Sequence, residues 1–388
     1  MIINFLIIIQ ENMKNGEKRN AVFTIVFLAS IIGIFTLADF FGSDRLFSEK
    51  ENRLLAQKPV FSRTALWNGS YTADWEDYLT DQFVGRDKWI RIKTETDIAL
   101  QRKEINGVYL GSNGYLLEQH LPQDYSRVKI EKKLTLLKRL VDGWDATVML
   151  VPTADNILTD KLPANAPYFD QQEFLAEVKA TVGEANYVDV YGALEEKKEE
   201  AIYYKTDHHW TSLGAYYGYR AWAEQKGIVR YPYNTAILET VSEDFEGTLQ
   251  AKINLDWGKD RIQYFPETTM RTVKIVYDRQ TEADSFYQES YLETKNQYGF
   301  FLDDNHALAE IDTGRPGKGT LVILKDSYAN CMIPLLAPHY SKICVVDTRY
   351  YRGSLEGLMQ EYEQADGEQP ELLILYNCIH FLENFVYT

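Results

Sequence analysis

The distribution of apolar positions divides the chain into a long apolar N-terminal segment and a body in which helical and strand-like patterns alternate. In the body, residues 128–143 have apolar side chains at helical spacing and end at a glycine. Thr147–Val151 follows as a short, mainly apolar run without charged positions, which is typical of a strand buried on both faces of a sheet. A helix that leads into such a strand begins an α/β pattern.

The same pattern recurs along the body and predicts its fold class. Four more apolar runs predict buried strands, namely Tyr187–Val190, Thr320–Leu324, Ile343–Val346 and Leu372–Tyr376. We therefore expect residues 101–388 to form an α/β domain with a mainly parallel sheet and helices on both faces. The polar stretch 239–305 interrupts the alternation, and we interpret it as an insertion or a cap over the sheet.

Two patterns near the start of the body predict local structure. Trp75–Ile92 has near-helical spacing that is interrupted at Gly85, which predicts two short helices within a lead-in segment at 39–100. In Gly107–Leu117, two apolar runs flank an Asn-Gly pair, which predicts a hairpin.

The N-terminal segment predicts a membrane anchor. Ala21–Ala38 carries no charge and is nearly long enough to cross a bilayer. Lys18 and Arg19 precede it, whereas Asp39 and Asp44 follow it, so positive charge stays inside and the body is expected to be extracytoplasmic. The apolar run is longer than that of a signal peptide, which favours a single-pass anchor over a cleaved signal and a secreted body.

The residues before the anchor are expected to be a short cytoplasmic N-terminus at 1–20. The nine apolar residues at the start of the sequence are too short to span a bilayer. Met13 stands directly before the basic cluster, and a start at Met13 accounts best for that run.

Composition and charge exclude some classes of function. The 388 residues include 41 Lys+Arg and 57 Asp+Glu, so the net charge is -16 and nucleic acid would be repelled. The three cysteines have no CxxC spacing, and no Cys/His pattern indicates a zinc site.

A pair of adjacent histidines is the first candidate for chemistry. In Asp207-His208-His209-Trp210, an aspartate two residues before a histidine can hold the imidazole so that its other nitrogen acts as a base. The alternative is structural, with Asp207 or Thr211 capping the helix predicted at 211–222. A metal site would need a third ligand, for which His306 or Asp304 is available.

Ser327 is the candidate nucleophile, because it follows the predicted strand Thr320–Leu324 and precedes a helix-like run. A serine on such a turn presents its hydroxyl at the carboxyl edge of a parallel sheet, with a helix N-terminus available to stabilise an oxyanion. The GxSxG sequence of the usual hydrolase elbow is missing, and the alternative role is a helix N-cap.

Polar residues after two other predicted strands belong to the same edge of the sheet. Arg349 and Tyr350 follow one strand, and Asn377 ends another. In open α/β sheets, binding sites form where strands deliver their carboxyl ends. An Asn amide can donate to an oxyanion and an Arg can hold an acyl or sugar oxygen, although Arg349 could instead form a surface ion pair and Asn377 a cap.

These motifs resemble the DHHW family of bacterial extracytoplasmic proteins. The resemblance covers nearly the whole chain beyond the anchor and rests on five segments, which are 47–53 (FSEKENR), 81–86 (DQFVGR), 107–117, 207–210 (DHHW) and 325–330 (KDSYAN). The family is similar to the alginate O-acetyltransferases AlgX and AlgJ, whose catalytic domain is an SGNH-hydrolase-like α/β fold with its motifs in permuted order.

The resemblance implies a role for each matched residue. Asp207 would orient His209, His209 would be the base and Ser327 the nucleophile, which selects His209 over His208. The oxyanion and substrate-binding elements should follow the nucleophile, where Asn377 fits the Asn block. The Gly before it and the Asp after it are missing, so the assignment of Asn377, Arg349 and Tyr350 is weaker.

The implied function is extracytoplasmic acetyl transfer to a cell-surface or secreted polysaccharide through an acetyl-serine intermediate, without a metal or soluble cofactor. Because acetyl-CoA is not available outside the cell, a membrane-bound O-acyltransferase partner would supply the acetyl group. Three alternatives remain open, which are a carbohydrate acetylesterase of the same fold, a non-catalytic polysaccharide-binding or assembly protein, and a metal hydrolase built on His208, His209 and His306.

Overall fold

The computed structural model describes residues 15–48, 50, 53–266 and 273–387. Met13 and the first apolar run lie outside the described residues. The chain divides into two compact units, of which the first ends at Lys93 and the second begins at Thr94.

The first unit contains the apolar N-terminal helix and the lead-in segment. Of the described helices, α1 alone is apolar and long enough, over Lys18–Phe41, to be a membrane anchor or a signal sequence. The two short helices predicted around Gly85 are confirmed, and this glycine separates them with a positive φ of 69°. The elements are α1 Asn15–Phe41, β1 Phe47–Ser48, β2 Arg53–Leu54, α2 Arg63–Trp67, α3 Ser70–Gln82 and α4 Arg86–Ala99, of which α4 begins in this unit and ends in the second.

Two of the motif segments meet within this unit. The Arg53 guanidinium donates to both carboxylate oxygens of Asp81 at 2.8 and 2.6 Å, and the Ala56 N–H donates to the same carboxylate at 2.8 Å. Asp81 is buried, and these partners lower the pKa of its carboxyl. The ion pair therefore joins the 47–53 segment to the 81–86 segment.

The second unit is an α/β domain, as the sequence predicts. Its helices are α5 Arg127–Gly143, α6 Ala154–Ile157, α7 Gln171–Val182, α8 Val190–Glu195, α9 Ser212–Gln225, α10 Thr248–Ile253, α11 Ile333–Leu336, α12 Leu355–Asp366 and α13 Cys378–Asn384. Its strands are β3 Glu104–Ile105, β4 Val108–Leu110, β5 Leu116–Glu118, β6 Ala146–Val151, β7 Glu239–Phe245, β8 Asp260–Tyr264, β9 Lys274–Tyr277, β10 Thr281–Ala283, β11 Leu308–Asp312, β12 Thr320–Lys325, β13 Lys342–Asp347 and β14 Glu371–Asn377.

The main sheet is mixed, which corrects the prediction of a mainly parallel one. Within the described residues, its strand order is β10-β9-β11-β13-β12-β14-β6. The strands β13, β12, β14 and β6 pair in parallel, whereas β11, β9 and β10 add an antiparallel edge. The antiparallel strands were missed because their runs are short and mix polar with apolar residues, unlike the unbroken runs of the parallel strands.

The buried strands separate two layers of core. Alternate residues of β12 face opposite sides, with Leu321 and Ile323 in one cluster and Val322 and Leu324 in the other. Side chains of α9 and α11 join the first cluster, and those of α5, α7, α12 and α13 join the second. The sheet is therefore covered by helices on both faces.

Three segments differ from expectation or extend it. Tyr187 forms one parallel bridge to Val148, and Asp189 then caps α8, so no full strand forms at 187–190. The predicted hairpin is present as β4 paired with β5. Within 239–305, β7 pairs with β8 as a separate two-stranded sheet, while β9 and β10 join the main sheet.

Candidate active site

Ser327 lies at the carboxyl end of β12, on the first turn of a 3₁₀ helix at Ser327–Cys331. Asp326 caps this helix by accepting a hydrogen bond from the Tyr328 N–H at 3.0 Å. Ser327 is the first helical residue, and its N–H therefore belongs to the group that a helix leaves without an intrahelical acceptor. The serine is 7% exposed, so it is neither on the open surface nor sealed in the core.

His209 reaches Ser327 although the two residues are 118 positions apart. The distance between His209 Nε2 and Ser327 Oγ is 2.8 Å, and His209 Nδ1 lies 2.6 Å from Asp207 Oδ1. An ionised carboxylate can only accept, so Nδ1 carries the proton in the neutral ring and Nε2 presents a lone pair to the serine hydroxyl. This arrangement lets Ser327 donate its proton to His209.

Asp207 is held by a set of donors that keeps it ionised. Its Oδ1 also accepts the His209 N–H at 2.9 Å, and its Oδ2 accepts the Thr248 N–H at 2.8 Å and the Thr248 hydroxyl at 3.0 Å. Burial raises the pKa of Asp207, but the neighbouring His208 and His209 and these hydrogen bonds outweigh burial, so the pKa lies well below its usual value.

His208 has a different environment from His209. Its Nδ1 lies 2.7 Å from the Thr248 hydroxyl, whose single proton is already donated to Asp207, so Nδ1 of His208 must be the donor. Burial and the nearby His209 lower the pKa of His208 to about 3. His208 is therefore neutral, with a lone pair on Nε2, and its ring packs against His209 at 3.9 Å between centroids.

The DHHW segment and the serine turn are bound to each other by aromatic residues. Trp210 Nε1 donates to the Tyr328 carbonyl at 2.8 Å, and the Tyr328 hydroxyl donates to the His208 carbonyl. Tyr298 stacks on the His209 ring at 3.8 Å and donates its hydroxyl to the Ser327 carbonyl at 3.2 Å. These contacts fix the position of the imidazole relative to the serine.

Residues of the KDSYAN segment on either side of Ser327 stabilise the serine turn through buried polar contacts. Lys325 Nζ lies 3.4 Å from Asp347 Oδ2 and donates to Asn330 Oδ1 at 2.9 Å and to Asn305 Oδ1 at 2.8 Å. Lys325, Asn330 and Asp347 are buried, and burial lowers the pKa of Lys325 although Asp347 opposes it. The segment thus supplies a buried scaffold for its serine.

Asn377 lies beside this turn as a cap. Its Oδ1 accepts the His380 N–H at 2.8 Å at the start of α13, and its Nδ2 donates to Asp326 at 2.9 Å. In the described part of the chain, Asn377 makes no hydrogen bond to Ser327.

Arg349 forms the ion pair that the sequence left open, but with a buried partner. Its Nη2 and Nε donate to Asp347 at 2.6 and 2.9 Å. The Tyr350 ring lies 5.2 Å from the guanidinium carbon, and Tyr350 is 52% exposed. Neither side chain hydrogen-bonds to Ser327 or His209 among the described residues.

The residues whose atoms lie close enough to bind one metal ion differ from the set considered from the sequence, which took His306 or Asp304 as the third ligand. Potential ligand atoms of Asp207, His208 and His209 lie within 4.8 Å of one another. His306 is not in this group of described residues, because its two nitrogens lie 3.0 Å from Asp278 and 2.9 Å from Asp303.

Several residues of the site were not found by sequence reasoning. Thr248 and Tyr298 come from the stretch interpreted as an insertion, and His120 and His380 line a pocket next to His208. Asp326 was within a recognised motif but had been given no role. Asp326 is next to Ser327 in the chain, whereas the other four residues have no spacing that predicts contact with the site and reach it through the tertiary fold.

The fold and the site together define an α/β protein with an Asp-His-Ser hydrogen-bonded chain at the carboxyl edge of its sheet. Residues 128–346, more than half of the chain, match the model of the family described as DHHW protein. The chain therefore belongs to the DHHW family, and the predicted resemblance is confirmed.

Two solved structures with TM-scores above 0.5 share this fold at low sequence identity. A DHHW family protein from Eubacterium siraeum is 23% identical, with a TM-score of 0.58 over 74% of this chain and 97% of its own. Bacillus cereus PatB1 is 19% identical, with a TM-score of 0.55 over 69% of this chain and 95% of its own. The O-acetyltransferase domain of Pseudomonas putida AlgJ is 14% identical, with a TM-score of 0.44 over 72% and 94% of the respective chains. Comparison with curated proteins gives no match.

Proposed function

We propose that the chain transfers acetyl groups to a cell-surface or secreted polysaccharide through an acetyl ester on Ser327. The observation that carries the proposal is the hydrogen-bonded chain from Asp207 through His209 to Ser327, with distances of 2.6 and 2.8 Å. Acyl transfer through a serine needs a base within hydrogen-bond reach of the hydroxyl and a third group that orients the base.

The reaction would proceed in two half-reactions. Ser327 Oγ attacks the acetyl carbonyl while His209 takes the serine proton, and His209 then gives that proton to the leaving group. In the second half-reaction a sugar hydroxyl attacks the acetyl-serine carbonyl, His209 takes the hydroxyl proton and returns it to Ser327 Oγ, and the sugar ester leaves. The Ser327 N–H would stabilise the oxyanion in both steps, and the second donor would be the Asn377 amide proton that is not donated to Asp326.

The direction of transfer and the location of the reaction are supported by the sequence. The DHHW motif resembles the Asp-x-His-Trp motif of the alginate O-acetyltransferases, and the choice of a sugar hydroxyl over water as the acceptor rests on this resemblance. Lys18 and Arg19 precede the apolar part of α1, and Asp39 follows it, which favours an anchored chain with its body outside. A membrane-bound O-acyltransferase partner would then deliver the acetyl group.

The test uses the full chain in detergent with p-nitrophenyl acetate as donor. We expect a burst of p-nitrophenol and one acetyl group on Ser327 by peptide mass spectrometry, and we expect Ser327→Ala to lose both. Ser354→Ala is the matched control, because Ser354 also lies at the start of a helix, α12, where its hydroxyl accepts the Gly357 N–H.

Two results would contradict parts of the proposal. An unchanged burst in Ser327→Ala would remove the nucleophile. A normal burst that yields only free acetate, with no acetylated polysaccharide, would make the chain an esterase.

A further inference from the structure

A pocket lies next to the candidate active site, at the carboxyl ends of β6 and β14. Its lining includes Glu118, His120, His208 and His380. Two of these residues contact the proposed triad or a residue next to it. His208 packs on His209, and His380 lies 3.1 Å from the carboxylate of Asp326, the residue before Ser327.

His380 repeats the carboxylate-histidine arrangement of the triad. Its Nδ1 faces Asp326 Oδ2 at 3.1 Å, and Asp326 is fully buried and also fixed by Asn377. The His380 side chain is 24% exposed, and its ring centroid lies 6.0 Å from that of His208. His380 lines the pocket, and among the described residues its Nε2 has no hydrogen-bond partner, so an imidazole oriented by Asp326 leaves one nitrogen available to a ligand.

Nε2 of His380 can form a hydrogen bond to a hydroxyl group whether the imidazole is neutral or protonated. Because Asp326 accepts from Nδ1, a neutral His380 has a lone pair on Nε2, and a protonated His380 has a proton there. Burial lowers the pKa of His380, but Asp326 outweighs burial and the net shift is upward. A sugar hydroxyl both donates and accepts, so it can bind Nε2 in both states.

The rest of the pocket lining is partly polar and partly apolar, the apolar part being Ala154, Leu249 and Ile379. Nε2 of the neutral His208 is an acceptor, as derived above. His120 lies between two carboxylates, with Nδ1 at 3.2 Å from Asp155 and Nε2 at 3.6 Å from Glu118. The space in the pocket is about 10 Å³, which is room for one hydroxyl group and not for a sugar ring, so an acceptor would reach these polar atoms with a single hydroxyl.

We propose that this pocket is the acceptor subsite and that Nε2 of His380 binds the hydroxyl group of the polysaccharide sugar that attacks the acetyl-serine. The proposal rests on the proposed function, because it assigns a role in the second half-reaction only. The first half-reaction, acylation of Ser327 by the donor, does not use this nitrogen.

Two substitutions at His380 separate binding from positioning. His380→Asn keeps an amide N–H near the position of Nδ1, where it can still donate to Asp326, but removes the nitrogen that faces the pocket. His380→Gln keeps a polar atom near Nε2 and loses the donor to Asp326. His306→Asn is the matched control, because the Nδ1 atom of His306 also faces an aspartate, Asp278, and His306 does not line the pocket.

The experiment measures both half-reactions with the full chain in detergent. Acylation is the p-nitrophenol burst, and transfer is the acetyl ester formed on envelope polysaccharide that has been stripped of esters with mild base. We expect His380→Asn to leave the burst within about two-fold and to raise KM for the polysaccharide about ten-fold, the effect of losing one hydrogen bond to a charged or polar group. His380→Gln should retain more transfer than His380→Asn, and His306→Asn should change neither half-reaction.

Each other outcome would overturn the assignment. An equal loss of burst and transfer in His380→Asn would mean that His380 acts by positioning Ser327 through Asp326. Unchanged transfer in His380→Asn would mean that the pocket does not bind the acceptor. A parent chain without a burst would fail at the proposed function itself, which is a distinguishable result, and would remove this inference with it.

Discussion

Gly247 allows the close approach that positions Asp207. A Cβ atom at Gly247 would lie 2.3 Å from Asp207 Cβ and 2.5 Å from both Asp207 Cα and the Thr206 carbonyl oxygen. Two of these three atoms belong to the backbone, so no side-chain rotation can relieve the overlap. The absence of a side chain at 247 is therefore required for the geometry of Asp207.

We predict that Gly247→Ala displaces Asp207 and lowers the rate of Ser327 acylation about 100-fold, as expected for an ångström-scale displacement of a catalytic group. Overpacking should also lower the free energy of unfolding by roughly 1–3 kcal/mol. The burst rate and urea unfolding check the two effects. Gly258→Ala is the control, because a Cβ atom there has no heavy atom within 4 Å. A normal burst rate in Gly247→Ala would show that the Asp207 position tolerates the shift.

At the scale of elements, a buried ion pair between Lys325 and Asp347 joins the carboxyl ends of β12 and β13, two residues before Ser327. Lys325 is 1% exposed and Asp347 is fully buried. A buried ammonium whose carboxylate is removed loses its compensation in a medium that solvates charge poorly. The backbone that follows Lys325 leads directly into the serine turn, so the pair also determines where that turn begins.

We predict that Asp347→Ala lowers the free energy of unfolding by roughly 3–5 kcal/mol, the usual cost of leaving a buried charge unpaired. Asp244→Ala serves as the comparison, because the Asp244–Lys259 pair is exposed on both sides and its loss should change nothing measurable. Urea denaturation of both variants at one pH gives the difference. Similar stabilities for the two variants would show that Lys325 is solvated or neutral once Asp347 is removed.

The sequence predicts elements in proportion to how strongly burial restricts their composition. The strands β6, β12, β13 and β14 are buried on both faces, so they leave unbroken apolar runs and were predicted. The strand β11 alternates, with Glu310 and Asp312 less buried than Ile311, and its partner β9 is short. Antiparallel edge strands of this kind depend on partners far away in the chain, and a local pattern does not reveal them.

At the scale of the whole molecule, the sheet order brings the candidate site together. The strands β12 and β14 are adjacent, so Asp326 and Asn377 meet across their carboxyl ends. Sequence reasoning predicted this edge because the polar residues follow predicted parallel strands. Thr248, Tyr298, His120 and His380 were not predicted, because they arrive from segments whose packing the strand pattern does not define. Their contribution depends on tertiary contacts alone.

The buried histidines make the stability of the second unit depend on pH in opposite directions. Burial opposes protonation of His120, but Asp155 and Glu118 outweigh it and raise its pKa to about 10. Burial lowers the pKa of His339 to about 4. The folded state therefore binds a proton at His120 more tightly than the unfolded state, whose histidines titrate near 6.5. At His339 the folded state binds the proton more weakly.

We predict that His120 contributes stability that is fully present below about pH 6.5 and is lost as the pH rises towards 10. In that range the folded chain keeps the proton on His120 while the unfolded chain has released it, so each rise in pH favours unfolding. Urea unfolding of the full chain between pH 7 and pH 10 should show a decline that is smaller in His120→Gln. In His339→Gln the decline should persist, since the His339 contribution is lost only as the pH falls from about 6.5 towards 4. An equal decline in the parent and in His120→Gln would mean that the two carboxylates do not hold the proton on His120, and that the pocket wall they form is uncharged at that position.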